Sequence, residues 1–190
     1  MSKLVLAMFM SLDGYIEGPK GEFVSPDWSG DLQRYWADDN TDAAGLLLYG
    51  RVNFEFNAGF WQPAAADESN PAELRSFARK MNDLPKIVFS RSLKNPGWNG
   101  RVVTETNLPA EIARLKQQPG QDLMMFGGAG IAQAFMKLDL IDEYRLLVTP
   151  TLLGGGKRLF EGSYDRAKLK LVKSQALDTG AVLLYYQRPA

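Results

Sequence analysis

Three stretches of the sequence bring together residue types that could handle a phosphate-bearing ligand. Phe126-Gly127-Gly128-Ala129-Gly130-Ile131-Ala132 follows an apolar run and opens an amphipathic one. Glycines at such a strand-to-helix turn let a phosphate approach the backbone, where free N–H groups and the positive helix end meet its charge. The same residues would serve a tight turn with no ligand, and the pattern is not the G-x-G-x-x-G fingerprint. Leu46-Leu47-Leu48-Tyr49-Gly50-Arg51-Val52-Asn53-Phe54-Glu55 again runs from a strand through glycine into a helix. An arginine at the carboxyl end of a parallel strand stands where open α/β sheets bind ligands, and its fork suits a phosphate. A lone arginine is usually a surface residue, so the turns count for more together than singly. A third strand end, Phe89-Ser90-Arg91-Ser92, offers hydroxyls and another guanidinium. Side by side in one sheet, the three would form a crevice for a phosphate-rich ligand.

Carboxylates supply a second chemistry. Ser11-Leu12-Asp13-Gly14-Tyr15-Ile16 leaves the first strand, and Pro26-Asp27-Trp28 and a helix starting at Asp31 follow it. Acids around one strand end, with Trp28, Tyr35 and Trp36 nearby, could hold a flat, nitrogen-rich ring: the aromatics offer a face and a carboxylate accepts from ring N–H groups. The plainer roles are a turn for Asp13-Gly14 and a helix cap for Asp31. Gly154-Gly155-Gly156-Lys157 invites a P-loop reading that fails, because Thr151 stands where the motif needs its first glycine and Arg158 where it needs Ser or Thr.

Two absences narrow the mechanism. With no histidine and no cysteine among 190 residues, Ser-His-Asp and Cys-His catalysis, His- or Cys-based metal sites and thiol redox chemistry are excluded. Proton donors must come from Asp, Glu, Lys, Tyr or water, or a cofactor must carry the hard chemistry. The 22 basic and 22 acidic residues balance, which argues against nucleic acid as a partner. The apolar run Leu4 to Met10 is too short for a membrane span and lacks a cleavage site after it, so it reads as a buried strand of a cytoplasmic protein.

The elements that must position these residues alternate in the manner of an α/β sheet. Strands are predicted at Leu4 to Met10, Gly45 to Tyr49, Lys86 to Ser90, Arg101 to Thr104 and Asp122 to Phe126. Helices are predicted at Asp31 to Asp39, from an Asn70 cap and Pro71 at its first position to about Met81, from Leu108 to Gln117, and from Ala129 to Leu138. Beyond residue 140, Tyr144 to Thr149, Lys168 to Leu177 and Ala181 to Gln187 read as strands joined only by turns, hence antiparallel additions at a sheet edge. No linker or repeat divides residues 1–190, which read as a single domain; Phe56, Phe60 and Trp61 permit a homodimer and fit a core stripe at helical spacing at least as well.

Seven motifs together carry a family resemblance: Ser11 to Ile16, Asp27-Trp28, Tyr49 to Glu55, Lys86 to Ser90, Gly127 to Ala129, Ile141 to Arg145 and Pro150 to Phe160. In this order they resemble dihydrofolate-reductase-like proteins, and specifically the branch of the C-terminal reductase domain of the bifunctional riboflavin-biosynthesis deaminase/reductase. The resemblance implies an α/β fold with a mainly parallel eight-stranded sheet, flanking helices and antiparallel C-terminal edge strands. It also implies NADPH, with Gly50, Arg51, Val52 and Asn53 gripping phosphates and Arg51 near the 2′-phosphate. Ser90 and Arg91 would flank the adenosine, and Gly127, Gly128, Ala129, Gly130, Ile131 and Ala132 would supply backbone to the pyrophosphate. Folate-type members join the two glycines by a cis peptide, which sets the same expectation for Gly127-Gly128.

The activity implied is hydride transfer to a small heterocyclic or ribosyl-aminopyrimidine substrate, as in a 5-amino-6-(5-phosphoribosylamino)uracil reductase. A dihydrofolate or pteridine reductase and a nucleotide-binding protein without turnover are the alternatives. The riboflavin-type branch points to Asp13 as the catalytic, substrate-facing acid, and the folate type to Asp31, with Asp27 and Trp28 beside the substrate. The deaminase domain and its zinc ligands are missing from this sequence.

Overall fold

In the computed structural model, which describes residues 2–23, 26–104, 107–162 and 166–189, the apolar run after Lys3 becomes the central strand β1 (Leu4–Ser11). Its side chains enter two cores alternately. Leu4, Leu6 and Met8 face one, and Val5 and Ala7 the other. A parallel strand buried on both faces needs a continuous apolar sequence and helices on either side of it.

Around β1 the chain builds β3 (Ala44–Gly50), β4 (Lys86–Phe89), β5 (Gly100–Val103), β6 (Asp122–Phe126), β7 (Glu143–Thr149), β9 (Lys170–Ala176) and β10 (Val182–Gln187). They form one eight-stranded sheet in the order β5-β4-β3-β6-β1-β7-β10-β9. Every pairing from β5 to β7 is parallel, whereas β10 is antiparallel to both β7 and β9. The mainly parallel sheet with an antiparallel C-terminal edge is the architecture expected from the sequence. A separate two-stranded ribbon, β2 (Tyr15–Glu17) with β8 (Lys157–Arg158), was not legible, since three and two residues are too few to show a period.

One face of the sheet carries α1 (Gly30–Leu32), α3 (Arg51–Ala64) and α4 (Ala72–Asp83), whose Leu32, Phe54, Phe77 and Met81 pack with Val5, Leu47, Tyr49 and Val88. The other carries α5 (Leu108–Lys116) and α6 (Ala129–Lys137), whose Ile112, Leu115, Ala132 and Phe135 meet Leu4, Leu6, Leu48 and Met125. Phe135 is wholly buried. Truncating such a residue to Ala costs about 3–5 kcal/mol, a large share of the 5–15 kcal/mol by which typical domains are stable.

Several boundaries differ from the sequence reading for identifiable reasons. The helix expected at 31–39 starts one residue earlier, where Ser29 Oγ accepts from Leu32 N at 3.1 Å, and continues through a π-helical turn (Gln33–Asp38) into α2 (Asp39–Ala43). Pro71 is extended (ψ 147°), so it takes the cap position and the helix begins at Ala72. Asn70 does not cap it, because its side-chain amide donates instead to Ala64 O at the end of α3. Ser90 and Thr104 fall just outside their strands, and α3 runs on to Ala64. Among the described residues no helix is long and apolar enough to cross a membrane.

Tyr49 is fully buried between Phe54 and Trp98, with both ring centroids at 5.9 Å, and its hydroxyl has no hydrogen-bond partner among the described residues. Burial alone pushes this phenol far above its ordinary pKa. A buried hydroxyl left unpaired costs about 1–3 kcal/mol, so Tyr49→Phe should leave stability unchanged or raise it by up to about 2 kcal/mol. Urea denaturation checks this, and a loss above 1 kcal/mol would show that the hydroxyl has a partner.

Candidate functional site

β3 and β6 are neighbours, yet the chain leaves them for opposite faces: α3 follows β3 into the core with Tyr49, and α6 follows β6 into the core with Met125. A crevice opens where adjacent strands diverge in this way, at their carboxyl ends, and open α/β sheets take ligands there. Its two rims are Gly50 to Asn53 and Gly127 to Ile131. The turns singled out separately in the sequence are therefore brought together.

Their contact is close enough to require glycine. Gly127 and Gly128 both have positive φ, 85° and 86°. A Cβ on Gly127 would lie 3.1 Å from Asn53 Nδ2, and one on Gly128 3.2 Å from Ile131 Cγ2. Two successive left-handed residues reverse the chain with trans bonds, and all peptide bonds among the described residues are trans. The cis junction expected between the glycines is thus absent. Asn53 Nδ2 donates to Phe126 O at 2.6 Å and ties one rim to the other.

Neither Gly50 nor Gly128 caps its helix with a side chain. The first N–H groups of α3 (Arg51, Val52, Asn53) and of α6 (Ala129, Gly130, Ile131) have no partner inside their helices, and the two positive helix ends border one crevice. Ala132 is a correction: its N–H already donates to Gly128 O at 3.1 Å and its side chain is buried in the core, so it has nothing left for a ligand. Arg51 is exposed, with Nη1 2.8 Å from Glu55 Oε2. Phe89 pairs with Gly50, which puts Ser90 and the exposed Arg91 on the same rim one strand outward. Ser90 Oγ is engaged locally, accepting from Ser92 N at 3.2 Å and Leu93 N at 3.0 Å.

The acids meet different partners. Asp13 takes a hydroxyl donor from Ser11 (2.7 Å) and backbone donors from Gly154 (2.8 Å) and Leu153 (3.2 Å). These hold its carboxyl down at about 2, against a small opposing effect of burial. Arg158 completes the fastening by donating to Asp13 O and Tyr15 OH. The Gly154-Gly155-Gly156 segment that mimics a P-loop is thus the strap held by Asp13, and it runs so close to Glu17 that a Cβ on Gly156 would sit 2.0 Å from Glu17 O. Asp31 accepts from Asp178 N at 3.3 Å, tying α1 to the turn between β9 and β10. Asp27 is exposed, and Trp28 leans on Phe77 with centroids 6.0 Å apart.

An aromatic row escaped the sequence reading. Phe9 lies 4.8 Å from Trp36 and 6.0 Å from Phe23, which lies 6.1 Å from Phe56 of α3 (centroid distances). Ala7 pairs with Phe126, so Phe9 extends two residues past the end of β6, to the level of Gly128. The period-2 pattern of β1 alone could have flagged Phe9; Phe23 carries no such signal.

An open, mainly parallel sheet with antiparallel final strands and a crevice at its switch point is the dihydrofolate-reductase-like architecture of RibD reductases. Residues 2–183 match the RibD C-terminal domain family, and the chain belongs to it. It is 41% identical to the uncharacterized Bacillus subtilis protein YwjB over 191 residues, covering 98% of each chain. It is 31% identical to the uncharacterized YyaP of the same organism over 184 residues, covering 97% of this chain and 94% of that one. A protein of Shewanella sp. PV-4 described as a candidate riboflavin-biosynthesis protein shares the fold with a TM-score of 0.76 at 22% identity, over 99% of both chains. The diaminohydroxyphosphoribosylaminopyrimidine deaminase/5-amino-6-(5-phosphoribosylamino)uracil reductase of Thermotoga maritima does so at 0.67 and 16%, over 99% of this chain and 57% of its own. Family and fold agree: a RibD C-terminal domain with the dihydrofolate-reductase-like architecture.

A carboxyl lowered by folding stabilises the fold above its unfolded pKa and loses that contribution as pH falls toward the folded value. For Asp13 the contribution should be constant from pH 5 to 8 and vanish between about pH 4 and 2. The stability difference between wild type and Asp13→Asn, followed by urea titration, should close in that window. A difference that instead changed between pH 5 and 8 would contradict this assignment.

Proposed function

We propose that the protein is an NADPH-dependent reductase that delivers hydride to a C=N or C=O carbon of a small heterocycle or its ribosyl derivative, in the manner of a 5-amino-6-(5-phosphoribosylamino)uracil reductase. The observation that carries this is the convergence of two uncapped helix N-termini on one glycine-lined crevice. The residues fit a dinucleotide: open N–H groups face its phosphates, and at Gly127 and Gly128 a Cβ would crowd Asn53 and Ile131, so backbone lines that rim. Bound there, NADPH would supply the hydride.

The chain's own residues supply placement. Gly50 to Asn53 and Gly127 to Ile131 hold phosphates through the backbone. Arg51 takes the 2′-phosphate; its exposed pair with Glu55 is worth at most about 1 kcal/mol, so it exchanges partners readily. Ser90 and Arg91 flank the adenosine. Phe9, Phe23 and Phe56, with Trp28 and Asp27 on the same side of the sheet, offer faces and a carboxylate to the substrate ring. Asp13, ionised at neutral pH, has no proton to give there; it orients the substrate edge through the strap that it holds. The proton comes from water.

NADPH should raise the melting temperature more than NADH does at equal concentration. At about 100 times the dissociation constant the added stability is roughly 2.7 kcal/mol. Arg51→Ala should shrink the preference for NADPH, and an unchanged ratio of the two affinities would remove Arg51 from the 2′-phosphate. Oxidation of NADPH with a panel of ribosylaminopyrimidines and dihydropterins tests turnover, and its absence with every member would leave a binding protein.

A further inference from the structure

A hydrogen-bonded ladder runs along α3 away from the crevice. Asn53, Asn57 and Trp61 are four residues apart and share one helix face. Trp61 Nε1 donates to Asn57 Oδ1 at 2.9 Å, Asn57 Nδ2 donates to Asn53 Oδ1 at 3.0 Å and to Asn53 O at 2.8 Å, and Asn53 Nδ2 donates to Phe126 O at 2.6 Å. An asparagine amide turned over exchanges its donor for its acceptor with almost no change of shape, so packing alone does not orient it. An indole N–H can only donate. With the indole at one end, Asn57 must present its oxygen to Trp61 and its nitrogen to Asn53, and Asn53 must then present its nitrogen to the Phe126 carbonyl.

We propose that Asn57 and Trp61 are positioning residues for the Gly127-Gly128 turn, acting through Asn53. This rests on the reading of that turn as part of the cofactor site. In a planar trans peptide the N–H points opposite the C=O, so drawing the Phe126 carbonyl toward α3 holds the Gly127 N–H on the side away from Asn53. With Asn53 reversed, two acceptor oxygens would oppose one another and the peptide would rotate. The control is remote, because Asn57 and Trp61 stand about 6 and about 12 Å along the helix from Asn53. The far end of the ladder is anchored by the same device: Trp98 Nε1 donates to Asn82 Oδ1 at 2.6 Å, leaving Asn82 Nδ2 to donate to Trp61 O at 3.0 Å. The Trp61 ring itself is held edge-on by Phe77 at 5.0 Å, so Trp61→Phe removes the donor and keeps an aromatic ring in place.

The test compares wild type, Trp61→Phe, Asn57→Asp, Asn53→Asp and, as control, Gln62→Ala, whose side chain lies on the exposed face of α3. Two quantities are read: amide hydrogen exchange of Ala132, whose N–H is bonded to Gly128 O across the turn, without ligand, and the dissociation constant of NADP+ by calorimetry. Trp61→Phe and Asn57→Asp should each speed exchange at the turn about tenfold relative to β1 and weaken NADP+ five- to tenfold, with Gln62→Ala unchanged in both. Asn53→Asp should bind NADP+ at least five- to tenfold more weakly than wild type at pH 7.5, because a carboxylate has no proton to donate to Phe126 O. A merely structural ladder would speed exchange throughout the fold, with no excess at the turn over β1. The proposal is overturned if Trp61→Phe and Asn57→Asp leave exchange at the turn as in wild type, or if Asn53→Asp binds NADP+ as tightly as wild type. Failure of wild type to bind NADP+ would overturn the cofactor reading instead, and the exchange comparison would still decide the ladder.

Discussion

The hydrogen bond from the Asn53 amide to the Phe126 carbonyl joins the first turn of α3 to the last residue of β6, at the place where the chain departs to opposite faces of the sheet. The geometry of the candidate site depends on that junction. It ties the two helix N-termini together, and the turn it fixes favours glycine at 127 and 128, where φ is positive and a Cβ would press on Asn53 and Ile131. A partly buried amide that bridges two elements is valuable because its directionality selects one arrangement, whereas apolar packing of the same area tolerates several.

The second organising contact lies at the end of β1. Asp13 gathers the Ser11 hydroxyl and two backbone donors from the Leu153-Gly154 strap, so a carboxylate next to the candidate substrate region has its charge balanced by dipoles rather than by a cation. Arg158, stacked 4.4 Å from the Tyr15 ring and bonded to its hydroxyl, closes the same corner from β8. Strap, β2 and β8 thereby form one unit beside α6, to which Gln133 adds a hydrogen bond onto Arg158 O. Such an acid holds a shape, and this is why a sequence motif shared with enzymes does not by itself assign it a proton-transfer role.

Much of the frame was legible because its signals are local. Apolar runs at 4–10 and 122–126 could only be buried strands, the change from helix-length to turn-length connections after residue 140 marked the antiparallel edge, and glycine at 50 and 127 marked the ends of two strands. The errors also have local causes. Pro71 displaced the cap because its ψ is extended, the π turn lengthened the first helix, and β2 and β8 were too short to show alternation. At the turn after β6, Gly127 and Gly128 take positive φ against Asn53 and Ile131, and Ala129 to Ile131 form the first turn of α6. Ala132 has no N–H left for a ligand, since a helix uses the fourth N–H itself.

Composition and order determined the chemistry this protein can do. A chain without histidine or cysteine must bind a cofactor or work through carboxylates, hydroxyls and water, and glycine after strands supplies the turns that phosphates need. Only the tertiary structure decided which of those residues meet. Sheet order places β6 beside β3 although 72 residues separate Gly50 from Asp122, and the strap reaches Asp13 across 141 positions. Periodicity reports the face on which a residue lies. It carries no information about which distant segment covers that face, because that is settled by the joint packing of two cores and by hydrogen-bond donors finding the one set of acceptors that the packing leaves open.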